Sequence, residues 1–417
     1  MKTSIGVFII SILAVIGCIG QENPKNSVIA GQIKNDADLL DFYRQYSTYT
    51  DPGDYEYLYK NLPESLSELC GLVKSQTIHP YGELPNYQNI IPQERWDEFY
   101  RYPTVHSILE GLLAYDSRGL IKGRKIQNRL VLGCRENSLL LASILKYRGI
   151  PARLRYGHAP YLIPGFHASH VICEVWNEND KRWMLVDPTV NRVDFSRDQF
   201  DFSNDAWLKM QQKEINPDLY GFPGQYSGLI SIAAKVCHDL AALLGTEYTI
   251  LQYAPLLDDA IKYGQELTLT SEQIETLNRI SELMKLIDAD NISALQDIYN
   301  NTPDIQITMS MEPIETNIDN DSRFKESSRL NNYSLCQNYP NPFNPNTKIK
   351  FSIPVEGNVK IIIYNTLGET VKTLMNDVLP KGTHVIEFNA IELPSGVYYL
   401  CLEAGDFRQV KKMTYLQ

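Results

Sequence analysis

Cys134, His170 and Asp187 are the residues of this chain whose types and spacing fit nucleophilic catalysis. A thiolate attacks an acyl carbon, an imidazole holds and returns the proton, and a carboxylate orients the ring and stabilises its cation. Such a set works only if local structure polarises the sulfur and brings the other two side chains together. The stretch Gly133-Cys134-Arg135-Glu136-Asn137-Ser138 opens an apolar run, Leu139 to Leu145. Leu140, Leu141, Ile144 and Leu145 fall on one helical stripe, widened by Leu139 and Ala142, which predicts a largely buried central helix. Gly149 followed by Pro151 ends it. Cys134 then stands at the helix N-terminus, where unpaired N–H groups and the macrodipole favour a thiolate. Arg135 either adds positive potential there or pairs with a nearby carboxylate.

A hairpin is predicted to supply the other two. His170 to Trp176 reads as a strand, Asn177-Glu178-Asn179-Asp180 as a turn, and Lys181 to Asp187 as the return strand, stopped by Pro188. A turn centred on Glu178-Asn179 sets Trp176 against Lys181, Glu174 against Trp183, Ile172 against Leu185, and His170 against Asp187. Directly opposed residues have Cβ atoms about 4.5–5.5 Å apart, which suits an imidazole–carboxylate hydrogen bond. A one-residue slip would send the two side chains to opposite faces.

The Cys134 N–H is a natural oxyanion donor, and a second donor is expected from an upstream side chain, Gln127 or Asn128. Tyr161, in the loop Gly157 to Ala168, and Trp183 are candidates for lining a substrate cleft. His167 and His170 form an HxxH, but strand residues three apart point to opposite faces, so no shared metal is expected. Cys173, Cys237 and His238 read as packing residues, and Glu174 and Trp176 as packing or surface residues.

The chain around this unit is long, 417 residues, which favours two or three domains. Its 43% hydrophobic and 21% charged content is that of an ordinary globular protein. A net charge of -11 argues against a nucleic-acid partner and gives no reason to expect adhesion to anionic lipid. Lys2 followed by the apolar run Ile5 to Ile16 reads as a signal peptide over residues 1–20. Val15-Ile16-Gly17-Cys18 resembles a lipobox, which would anchor the chain by lipid on Cys18; Gly20 before Gln21 suits ordinary cleavage. The seven cysteines (18, 70, 134, 173, 237, 336 and 401) are scattered, which disfavours metal binding and leaves a Cys336–Cys401 bridge open. No cofactor is called for.

Apolar spacing predicts helices over Asp36–Tyr46, Pro63–Val73, Gln93–Tyr102 and Thr104–Tyr115, then again between about 204 and 300, where Thr270 and Gln273 form a capping box. The resulting divisions are a helical part over 21–130, a core over 131–215, a helical extension over 216–300, a polar linker over 301–334, and a β-module over 335–417. In the last, Lys348–Ile353, Val359–Tyr364, His384–Phe388 and Gly396–Leu402 alternate between turns, which predicts an antiparallel β-sandwich.

Two resemblances extend this reading. GCRENSLLLASILKYRGIPARLRYG, HASHVICEVWN and RWMLVDPT resemble the core of the transglutaminase-like superfamily, most strongly over about residues 128–205. The resemblance implies an α+β, papain-like fold with helical flanks, and places the family nucleophile, histidine and acid on Cys134, His170 and Asp187. It implies a cysteine hydrolase or acyltransferase acting on amide bonds of a peptide, protein or glycopeptide. Some members have lost catalysis, so a non-catalytic, surface-displayed binding module on the same fold is the alternative. QNYPNPFNP, TKIKFSIP, IYNTLGETVKTL and LPSGVYYL are similar to type IX secretion sorting domains of Gram-negative bacteria, over residues 335–417. That resemblance implies an Ig-like sandwich, the secretion machinery as partner, and release or surface attachment.

Overall fold

The computed structural model describes residues 33–222, 226–263, 266–310, 334–335, 338, 343–366, 368–405 and 407–416. The signal peptide and Cys18 lie outside them. The chain is α+β, with helices and antiparallel sheets, and divides into two compact units: 1–220 with 228–314, and 221–227 with 315–417.

In the first unit the helices are α1 (Asp36–Arg44), α2 (Leu66–Gln76), α3 (Val105–Tyr115), α4 (Cys134–Tyr147), α5 (Ser203–Gln211), α6 (Leu229–Leu243), α7 (Asp258–Tyr263), α8 (Ser271–Leu283) and α9 (Ala289–Asn301). Its main strands are β1 (Thr77–Ile78), β2 (Leu130–Val131), β3 (Ala152–Ile163), β4 (Phe166–Asn177), β5 (Arg182–Asp187), β6 (Arg192–Phe195) and β7 (Asp201–Phe202), beside two-residue pieces at Tyr220–Gly221, Gln252–Tyr253 and Met309–Ser310. β3 to β7 form an antiparallel sheet in the order β6–β5–β4–β3–β7. The apolar stripe of α4 packs against Leu154, Tyr156, Val171, Cys173 and Val175 of this sheet and against Leu69, Val73, Ile108 and Leu112 of α2 and α3, so the helix is buried on every side.

Past Gly157 towards Ala152, β3 has no strand on its outer edge among the described residues, and α6 covers it instead. Asp239 accepts the Tyr156 N–H at 2.8 Å, two Arg155 N–H groups at 3.0 Å each, and the Ser203 hydroxyl at 2.8 Å. Glu174 takes Arg153 Nε at 2.7 Å and Arg155 Nη1 at 3.0 Å, so it belongs to a buried ion network and not to the surface. A second core joins α1, α5, α6, α8 and α9 around the buried Trp207. The helices after 216 therefore pack within this unit. So do Ile305 and Ile307, and Met309–Ser310 pairs with Gln252–Tyr253; the expected linker start at 301 is corrected accordingly.

The expected helix over Gln93–Tyr102 is two 3₁₀ turns, Gln93–Arg95 and Glu98–Tyr100. Arg95 is drawn inward to Glu98 and to the Gln127 and Arg129 carbonyls, which breaks the periodicity.

The second unit has a sheet of β8 (Ser334–Leu335), β9 (Asn346–Ile353) and β12 (Gly382–Asn389), and a sheet of β11 (Thr370–Leu379), β10 (Gly357–Tyr364), β13 (Gly396–Ala404) and β14 (Phe407–Tyr415), in those orders. Ile349, Phe351, Ile361, Ile363, Leu400 and Leu402 fill the core they share. Cys401 is a free thiol, and the partner that the sequence left open for it, Cys336, lies outside the described residues. Cys401 alternates with Leu400 and Leu402, faces away from that core, and meets Arg408 Nε at 3.4 Å.

Candidate active site

Parallel pairing of β1 with β2 feeds the chain into α4. Thr77 pairs Leu130 and Ile78 pairs Val131, and the Leu132 N–H reaches the Ile78 carbonyl at 3.1 Å. Gly133 caps the helix, and Glu136 reaches back to its N–H at 3.1 Å. Cys134 is therefore the first helical residue, and its own N–H has no acceptor within the helix. Arg135 is buried elsewhere: it donates to the Glu247 carbonyl at 3.0 Å and the Pro103 carbonyl at 3.1 Å, and pairs with Glu136 at 2.9 Å. It is committed to those partners.

His170 Nε2 stands 2.8 Å from Asp187 Oδ2, with both side chains buried. The ladder reaches this contact by a different register from the expected one. Trp176 pairs Trp183, Val175 pairs Met184, Glu174 pairs Leu185, and Asn177 closes on Arg182, an offset of two residues. The cause is local. Asn177 Oδ1 accepts the Asn179 and Asp180 N–H groups at 3.0 and 3.2 Å, and Lys181 takes a left-handed φ of 50°, giving a four-residue loop. An offset of two preserves parity, so the two residues still share a face, as diagonal neighbours in place of an opposed pair.

Asp187 also accepts the Tyr161 hydroxyl at 2.7 Å and the Thr189 N–H at 2.9 Å. Burial alone would raise its carboxyl; the His170 cation and these donors hold it below the usual range. Burial likewise works against a His170 cation, yet the Asp187 charge and the Cys134 sulfur overcome it and lift the ring to about 10. For Cys134, burial opposes ionisation, and His170 followed by His79, through charge and hydrogen bonding, brings the thiol well below its ordinary value. Because Asp187 engages Nε2, Nδ1 is the ring nitrogen left to the sulfur. Burial pushes Cys70 and Cys237 up to about 12 and also raises Cys173, so none of these three resembles Cys134.

His79 was not legible in the sequence. It follows β1 by one residue, so the parallel register sets it beside Leu132, two positions before the cysteine. The Gly82 N–H donates to its Nδ1 at 3.2 Å, which puts the proton of the neutral ring on Nε2 and makes that nitrogen a donor. Gln127 is exposed and Asn128 half-buried, in a short 3₁₀ turn; their carbonyls go to Arg95 at 2.7 Å and Arg124 at 3.0 Å. The side chain that acts on the sulfur from upstream is His79.

Of the cleft candidates, Tyr161 belongs to the acid, with the Arg192 guanidinium 4.3 Å over its ring. Trp183 lies four residues up the strand from Asp187, about 13 Å away along it. It packs on Trp176 and Tyr43 under Arg153, and lines a cavity of about 400 Å³ with Glu174, Arg182 and Phe195. His167 bonds Asp201 at 2.5 Å and stacks on Tyr220, apart from His170. Among the described residues no three His, Cys, Asp or Glu side chains could together hold a metal, and no helix is long and apolar enough to cross a membrane.

Residues 337–415 match the secretion system C-terminal sorting domain family. This module is a type IX sorting domain. It directs secretion and engages the type IX machinery. No curated protein matches the chain. Among solved structures, red sea bream transglutaminase aligns at 9% identity over 96% of this chain, with a TM-score of 0.21. The chain spans 64% of the length of that protein, and a likeness this weak carries no argument.

Proposed function

We propose that the first unit is an exported, cysteine-dependent acyl-transfer enzyme on a transglutaminase-like core, acting on amide bonds. The buried 2.8 Å contact of His170 with Asp187, at the mouth of a helix whose first residue is Cys134, carries the proposal.

The Cys134 thiolate adds to the amide carbon, forming the C–S bond and pushing the carbonyl electrons onto oxygen. The Cys134 N–H and the His79 Nε2–H stabilise that oxyanion. His170 passes its proton to the amide nitrogen as the C–N bond breaks, leaving a thioester and a neutral ring. Water or an amine then attacks the thioester, His170 takes its proton, and the C–S bond breaks to return the thiolate. Asp187, held by Tyr161 and Thr189, keeps the ring oriented and offsets its charge through both half-reactions. Water yields hydrolysis and an amine yields transfer.

Incubation of the purified full chain with a peptide library, with and without a primary amine, and mass analysis of the products tests this. New amide-cleavage or amine-adduct products that vanish in Cys134→Ala support it. Products that persist in a folded Cys134→Ala protein reject it, and a Cys134 thiol no more reactive than free cysteine leaves a binding module.

A further inference from the structure

One residue of α6, Lys235, carries a charge that forms no ion pair among the described residues. Lys235 is only 7% exposed, lies 5.5 Å from the Tyr156 ring centroid, and makes no ion pair or hydrogen bond among the described residues. The acid one turn along, Asp239, is spent on Arg155, Tyr156 and Ser203. The negative groups that bear on Lys235 are the Cys134 thiolate and that same Asp239. One turn earlier, the Ser231 hydroxyl meets His158 Nε2 at 3.2 Å. With Ser231 donating, the His158 proton sits on Nδ1, an atom fully buried and without a partner. Directly opposite His158 in the β3–β4 ladder is Ser169, 5% exposed, whose hydroxyl is also unpartnered. Ser169 immediately precedes His170.

Two buried donors with unspent capacity are costly in an apolar interior, and a lysine only 7% exposed against an aromatic ring has lost most of its hydration. Lys235 lies over Tyr156, and His158 and Ser169, an opposed pair, share the sheet face of Tyr156 and Val171 that packs on α4; all three can donate to an anion. A carboxylate is acceptor-only, bears the complementary charge, and can take several donors at once. We propose that Lys235, His158 and Ser169 form a subsite for a substrate carboxylate, so that the amide attacked by Cys134 is one flanked by a free carboxylate. The proposal rests on the acyl-transfer reading.

Two alkylating reagents of the same size test it without knowledge of the substrate. Iodoacetate carries a carboxylate on the carbon that the sulfur attacks, and iodoacetamide carries a neutral amide there. In the wild-type chain Cys134 is expected to prefer iodoacetate relative to free cysteine. Lys235→Met should cut that preference roughly tenfold, the scale set by one unit charge several ångströms away at a partly buried site, while Lys235→Arg retains it. Should the Met variant fail to fold, Lys235→Gln replaces it. Protection against iodoacetamide then separates the two sources of the carboxylate: peptides ending in an α-carboxylate against their amides, and peptides with internal Glu against Gln. A preference unchanged in Lys235→Met, or a pH profile of iodoacetamide labelling that moves without it, overturns the subsite and gives Lys235 to the sulfur. Slow labelling of wild-type Cys134 by both reagents instead overturns the thiolate on which the acyl-transfer reading depends.

Discussion

Replacing His170 with alanine isolates what the imidazolium does for the sulfur. In the native chain the ring is lifted to about 10 and the thiol lies well below its ordinary value of 9.0, which opens a pH window in which thiolate and imidazolium coexist. A thiol reacts with iodoacetamide only as its anion, so a depressed pKa extends labelling to acid pH. Without His170 the thiol loses the largest influence that lowers it, burial still opposes ionisation and only His79 still favours it, so the thiol pKa rises. At pH 6 a thiol of pKa 9 is ionised to roughly one part in a thousand. Part of that loss is offset, because intrinsic nucleophilicity falls by about 0.4–0.5 log units per unit of pKa depression. The net expectation is a drop of about tenfold in labelling rate at pH 6, with the midpoint of the profile moving up in pH. Mass mapping to the Cys134 peptide keeps the assay specific, since Cys70, Cys173 and Cys237 are buried with raised pKa values. A wild-type midpoint near that of free cysteine, or a variant that labels as fast as wild type at pH 6, would refute the ion pair and the mechanism built on it.

Further outcomes follow from other contacts. His79→Ala should lower kcat by about 10²–10³ with little change in KM, whereas His79→Gln, which keeps a neutral donor, recovers part of it; equal losses in both would remove His79 from the oxyanion site. Tyr161→Phe deletes the 2.7 Å bond to Asp187 and should cost about 1 kcal/mol in urea unfolding of the first unit; no change would show that the bond adds nothing. Burial would raise Glu174, but Arg153 and Arg155 hold it at about 2, against 4.5 ordinarily. A depressed carboxyl contributes stability above pH 4.5 that is lost as pH falls towards 2, here about 3 kcal/mol. Urea midpoints between pH 5 and 2 should fall accordingly and do so less in Glu174→Gln. Deleting residues 337–415 should leave the chain inside the outer membrane of a type IX-competent host, as fractionation would show; continued export would contradict the role of the module.

What could be read from the chain alone is what depends on neighbours in sequence. The apolar run after Gly133 was enough to place Cys134 at a helix start. The Thr270–Gln273 box caps α8 as expected. Alternation marked β9, β10, β12 and β13, but not β11, whose residues are largely exposed on a sheet edge, nor its counterpart edge strand β14. The hairpin was legible as a hairpin, and its parity kept His170 and Asp187 on one face. Its register was not, because the Asn177 side chain competes for turn N–H groups that pattern alone assigns to the ladder. Only tertiary structure decided what else bears on the sulfur. His79 arrives through a two-residue parallel pairing with a segment some fifty residues on, and Asp239 and Lys235 are carried to β3 by a helix laid over its open edge. Neither strand length nor helix period says which distant backbone will satisfy an unpaired edge. Closing those edges, together with burying α4, fixes which charges meet the thiol.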